Sequence, residues 1–199
     1  MIAALMLAAT VAIPNNFLLY EKEAAKKDDN PETSWSATGK RTAPLVVNPC
    51  QKAALGRAGR TQARTLTYTA VPDYAKSEQV VLYSSPAAAG KALRDLESAV
   101  RACGSAAYRY SATAIALGDK GLMVTGQAYH NRKPAVGGER AVVTRRANAL
   151  ILYTVSGEWG SPPRPTSSAR PVTPSACSPR FAPSPTARRK ECPDLGTMS

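Results

Sequence analysis

This chain of 199 residues predicts an α+β domain: a twisted antiparallel sheet of about six strands, with one long and one short helix packed on it. Three observations carry that expectation. One stretch, Ser84 to Cys103, has a clear helical period; short β-like runs lie before and after it; and the connections between those runs are of hairpin length. Parallel neighbours would each need a crossover of a dozen or more residues, so the sheet is expected to be antiparallel.

The long helix is marked at both ends. Ser84 or Ser85 caps it, and Pro86 occupies the first turn, where a missing amide proton costs nothing. Ala89, Leu93, Leu96, Val100 and Cys103 fall on one apolar stripe, while Lys91, Arg94, Asp95, Glu97 and Arg101 lie off it. Gly104 is the expected left-handed stop. A helix with one apolar stripe between β-like runs reads as the lid of a sheet.

Taken from its start, the chain opens on twelve apolar residues, Ile2 to Ile13. That run is too short to cross a bilayer comfortably and suits the apolar region of a signal peptide, with small residues at Thr10 and Ala12. No basic residue precedes it, which a start codon further upstream would explain. Residues 1–13 are therefore read as signal-peptide-like and 14–43 as a polar tether, apart from Trp35, which is expected to pack onto the domain. The domain proper is placed at 44–160. Pro44 to Val47 reads as a short strand, and Asn48-Pro49 as the cap of the short helix carrying Cys50. Arg64 to Ala70 alternates as a half-buried strand, and Glu78 to Tyr83 runs straight into the long helix. Tyr108 to Leu117 is read as a connector, followed by strands Leu122 to Tyr129, Arg140 to Arg145 and Leu150 to Val155.

From Ser161 the composition changes. Nine of the chain's 16 prolines lie beyond that point, and large apolar residues almost vanish. Segment 161–199 cannot bury enough surface to offset its chain entropy, so disorder is expected. A proline-rich ligand for a partner's groove and an out-of-frame reading of a GC-rich gene are the two alternatives.

With 26 basic and 14 acidic side chains the net charge is +12, which favours anionic surroundings without specifying them. No aromatic platform with interleaved basic residues is present, so no nucleic-acid partner is expected. Cys50, Cys103, Cys177 and Cys192 show no close pairing, and His130 is the lone histidine, so no metal site and no cofactor are expected. If the protein is exported, a disulfide is the economical reading of Cys50 and Cys103, both placed on helices beside the sheet. Cys177 and Cys192 either pair within the tail or belong to a wrong frame. His130 lies in a polar loop with no nucleophile motif to serve, and no pair of carboxylates has acid-and-base spacing, so the expectation is a chain that is not an enzyme. A basic cluster remains as the candidate ligand-binding set: Arg132, Lys133, Arg140, Arg145 and Arg146, expected to form a patch for an anionic glycan or phosphate.

The order of these pieces resembles a known family. Asn48-Pro49-Cys50, then SEQVVLY, ALRDLESAVRAC, LGDKGL and GERAVVTRRANALILYTVSG are together similar to the PknH-like extracellular sensor domain of actinobacterial receptor serine/threonine kinases and its stand-alone secreted relatives. The resemblance covers about Pro44 to Gly160. It implies a secreted or cell-envelope location, a twisted antiparallel sheet, disulfides with Cys50 and Cys103 as the matching cysteines, and a non-catalytic domain binding an unidentified envelope ligand. The alternative is a basic interaction protein that contacts an anionic wall polymer or a partner protein.

Overall fold

A computed structural model describes residues 13–26 and 28–158. The signal-like run except Ile13, the tail from 161 onward, Cys177 and Cys192 lie outside the described residues. Among the described residues seven strands form one antiparallel sheet: β1 (Thr33–Thr38), β2 (Arg60–Ala70), β3 (Tyr74–Tyr83), β4 (Tyr108–Ile115), β5 (Lys120–His130), β6 (Lys133–Arg146) and β7 (Ala149–Gly157). Their order across the sheet is β1-β2-β3-β7-β6-β5-β4. Among the described residues two helices accompany them, α1 (Glu21–Ala24) and α2 (Pro86–Ala102).

The sheet has seven strands rather than about six because three expectations change. Pro44 to Val47 is not a strand. The supposed connector after the long helix forms edge strand β4, and part of the supposed tether forms β1, pairing Trp35 with Tyr68. The short helix also moves: the chain near Cys50 is a series of turns, and α1 lies at Glu21–Ala24. Loop 41–58 has no helix because side chains of the sheet satisfy its backbone instead. Buried Arg60 donates to the carbonyls of Ala43 (2.6 Å), Gly56 (2.8 Å) and Leu55 (3.2 Å), and Gln79 donates to Pro44 O while accepting from Val46 N. Five donors in a planar fork suit Arg60 to collecting carbonyls at a loop's base.

Helix α2 begins as its sequence requires. Ser85 Oγ accepts from Ala88 N at 3.1 Å, and Pro86 starts the first turn. It ends differently, because Cys103 is extended and Gly104 bridges Arg109 of β4. Cys103 leaves the helix toward Cys50, whose Cα lies 5.4 Å away in a disulfide, a separation ordinary for such bonds.

Alternation along the strands gives the sheet two unlike faces. On one, Leu93, Leu96 and Val100 of α2 close over Val81, Tyr83, Leu122, Val143, Leu150 and Leu152, all 2 % exposed or less. Each such side chain contributes roughly 1.5–3 kcal/mol by leaving water. The opposite face is crossed by a strap, residues 13–26, over β2, β3 and β7. Its core is small, Leu18 with Leu66 and Val80, flanked by Tyr20, Trp35 and Ile151. Directional bonds hold the rest: buried Glu78 accepts from Leu19 N (2.9 Å), Tyr20 N (2.7 Å) and the Tyr153 hydroxyl (2.7 Å). Arg64 pairs with Glu21, and Lys76 with Glu23 at 2.5 Å. The Lys76 ammonium also sits 5.0–5.3 Å from the rings of Tyr20, Trp35 and Tyr68, close enough for a cation–π attraction. Burial opposes its charge, but the Glu23 carboxylate outweighs that and raises its pKa.

Candidate anion-binding cleft

The five basic residues singled out in the sequence do not form one patch. Four of them lie on β6, and Arg132 is in the two-residue turn that precedes it, where Asn131 and Arg132 both have positive φ (49° and 65°). β6 is 14 residues long. At about 3.3 Å per residue, Lys133 and Arg146 stand roughly 40 Å apart. Arg140 and Arg146 face the strap side, whereas Arg145, paired in register with Leu150, faces the α2 side. The cluster was legible as adjacent sequence, but a long strand pulls its ends apart and alternation splits its faces.

Arg145 does enter a concave site. A cleft of about 490 Å³ runs between the N-terminal half of α2 and the β4–β5 turn, lined by Pro86, Ala87, Gly90, Leu93, Arg94, Asp119, Lys120 and Arg145. Three cations and one carboxylate thus line the same cleft. Each enters the cleft from a different element: Arg94 from α2, Lys120 from the first residue of β5, Arg145 from the end of β6.

The β4–β5 turn is fixed by a small network. Thr144 Oγ1 donates to Leu117 O (2.8 Å), Asp119 N donates to Arg145 O (2.8 Å), and Asp119 Oδ2 accepts from Ala147 N (2.8 Å). Gly118 lies between them at φ +63°, where a Cβ would stand 2.4 Å from Thr144 Oγ1 and 2.5 Å from Arg145 O, so only glycine fits. Arg145 is held by Asp119 at 3.3 Å and Lys120 by Glu97 at 2.9 Å. The Lys120 hydrogen bond, with Arg101 also paired to the same carboxylate, holds Glu97 below the usual glutamate pKa.

Arg94 and Lys120 were missed as site residues. Arg94 reads as one more charge on the polar side of a helix, and Lys120 as part of a turn. Pairing of β5 with β6 sets Lys120 opposite Arg145, and the packing of α2 across the sheet brings Arg94 to them.

No protein-family model matches the chain, and no curated protein matches it. Among solved structures it is similar to the extracellular domain of PknH from Mycobacterium tuberculosis, with a TM-score of 0.47 and 11% identity, over 65% of this chain and 77% of that one. An uncharacterized protein from Mycobacterium smegmatis is similar with a TM-score of 0.29 and 13% identity, over 68% of this chain and 80% of the other. Neither likeness assigns the chain to a family.

Proposed function

We propose that this chain is an exported, non-catalytic binding domain that takes an anionic ligand of the cell envelope in the cleft beneath α2. The observation that carries the reading is the convergence of Arg94, Lys120 and Arg145 on one concave surface with a single carboxylate, Asp119. Guanidinium groups match phosphate and carboxylate oxygens in a fixed fork, and the positive end of the α2 dipole at Pro86 adds to the attraction. Two carboxylates position the cations at the cleft, Glu97 holding Lys120 and Asp119 holding Arg145. The Cys50–Cys103 disulfide supports an oxidising compartment, because such bonds persist outside the reducing cytosol.

Calorimetric titration with inorganic pyrophosphate and with a short poly(glycerol phosphate) tests this at low ionic strength. Binding is expected for the wild type, and the double substitution Arg94→Glu with Lys120→Glu is expected to weaken it by tenfold or more, about 1.4 kcal/mol at least. Equal affinity in the double variant, or no heat with either probe, would sink the reading.

A further inference from the structure

We infer that the strap side of the sheet is a contact surface for an anionic phospholipid bilayer. The strap divides its residues by side. Leu18 is 2 % exposed and points into the sheet, while its neighbours Phe17 and Leu19 are 53 % and 72 % exposed and point away. Large apolar side chains turned outward on both sides of a buried leucine are not needed by the fold. An apolar pair beside exposed lysines is instead the pattern of a shallow interfacial insertion.

Charge on this side is arranged to agree. The strap's own carboxylates Glu21 and Glu23 are engaged by Arg64 and Lys76 underneath. Lys22 and Lys26 of the strap are exposed, as is Arg146 on the same face of β6. Asp28 and Asp29 follow past the strap's end, where Asp28 is engaged by Thr33 and by Asn30 N. Met123, 45 % exposed, adds a further apolar group on the same face of β5.

Position in the chain points the same way. Ile13 is tied to this face through its amide, which donates to Gln62 Oε1 at 2.8 Å. The strap therefore starts, at Ile13, on the side where Phe17 and Leu19 project. The anion cleft is on the other face, so this surface and the cleft stand or fall separately.

Co-sedimentation of the full chain with vesicles separates the outcomes. Vesicles of phosphatidylcholine alone are compared with vesicles of phosphatidylcholine and phosphatidylglycerol. Binding is expected to the mixed vesicles and to fall with added salt. Phe17→Ser with Leu19→Ser is expected to lower it about tenfold or more, since two outward side chains lose their burial in lipid. Lys22→Glu with Lys26→Glu is expected to lower binding to the mixed vesicles by a similar factor and to leave the phosphatidylcholine result unchanged. All four residues are exposed, so circular dichroism should match the wild type. No binding to mixed vesicles overturns the inference. Binding that neither double variant changes also overturns it, by assigning attachment to the preceding apolar stretch.

Discussion

The helix side and the strap side of the sheet are covered by different chemistry. Beneath α2, burial is apolar and non-directional: Leu96, Val143, Leu150 and Leu152 are fully enclosed, and Arg60, Gln79 and the disulfide fasten the loop that completes the cover. Beneath the strap, three buried apolar residues share the work with a buried carboxylate, two ion pairs and a lysine among aromatic rings. Apolar burial sums over many contacts and belongs to the cooperative unfolding of the whole domain. A cover held by a few directional bonds opens locally at lower free energy.

The sharpest test of that contrast gives the largest effect. Leu96→Ala leaves a cavity at the centre of the helix side and should lower unfolding free energy by about 3–5 kcal/mol in urea titrations. Leu18→Ala removes the same atoms from the strap, but the loss is capped by what the strap's local closing is worth, roughly half as much. Equal costs would mean that both covers belong to one cooperative core.

A second test acts on the strap alone. Glu78 is 2 % exposed and accepts from two successive strap amides. Glu78→Gln keeps the side chain's size but replaces one acceptor oxygen with a donor that faces those N–H groups. Hydrogen bonds to a charged acceptor contribute about 1.5–3 kcal/mol each way, so the strap should detach by about that amount. Hydrogen exchange reads it directly: the Leu19 and Tyr20 amides should lose protection while those of β6 and β7 keep theirs. Loss of protection across the strap, β6 and β7 alike would show that the strap is integral to the fold.

The helix side was far more legible in the sequence than the strap side. The period of Ala89, Leu93, Leu96 and Val100 gives both the helix and its buried face, and Ser85-Pro86 gives its start, because local spacing alone decides these. Strands β2, β3, β5, β6 and β7 were visible as alternating or apolar runs between turns. The strap reads as a tether in the sequence because EKEAAKKDD is polar, and polarity in a linear sequence does not reveal that Glu21 and Glu23 meet Arg64 and Lys76. Strand β4 was hidden for a related reason. As an edge it is only partly covered, so small residues such as Ser111, Ala112 and Thr113 suffice and no strong apolar pattern appears. For the candidate cleft, the sequence marks only Arg145; Lys120 depends on the register of β5 with β6, and Arg94 on where a helix lands on a sheet, which no spacing encodes.

The helix side also buries a carboxyl oxygen that no hydrogen bond satisfies, and it supplies the smallest predicted effect. Glu139 of β6 faces the α2 side opposite Gly126, beside Tyr108 and Tyr110, and its Oε1 is buried without a hydrogen-bond partner. Burial raises its pKa above the ordinary glutamate value, and its charge helps, after burial itself, to push the Tyr110 phenol up to about 12. A carboxyl group with a raised folded pKa binds its proton more tightly folded than unfolded. Its contribution is therefore fully favourable below the unfolded value, about 4.3, and is lost as pH rises through the higher folded value. Glu139→Gln removes that loss. At neutral pH the variant should be more stable by about 1 kcal/mol, the lower end of the cost of an unpartnered buried polar group, and the gain should fade below about pH 4, where wild-type Glu139 is itself neutral. Thermal unfolding at the two pH values measures this, and spectrophotometric titration should show the Tyr110 phenol ionising at lower pH once the neighbouring charge is gone. A gain of equal size at both pH values would trace the effect to packing. A loss at neutral pH would mean that the carboxylate is paired and that the helix side is as dependent on directional bonds as the strap side.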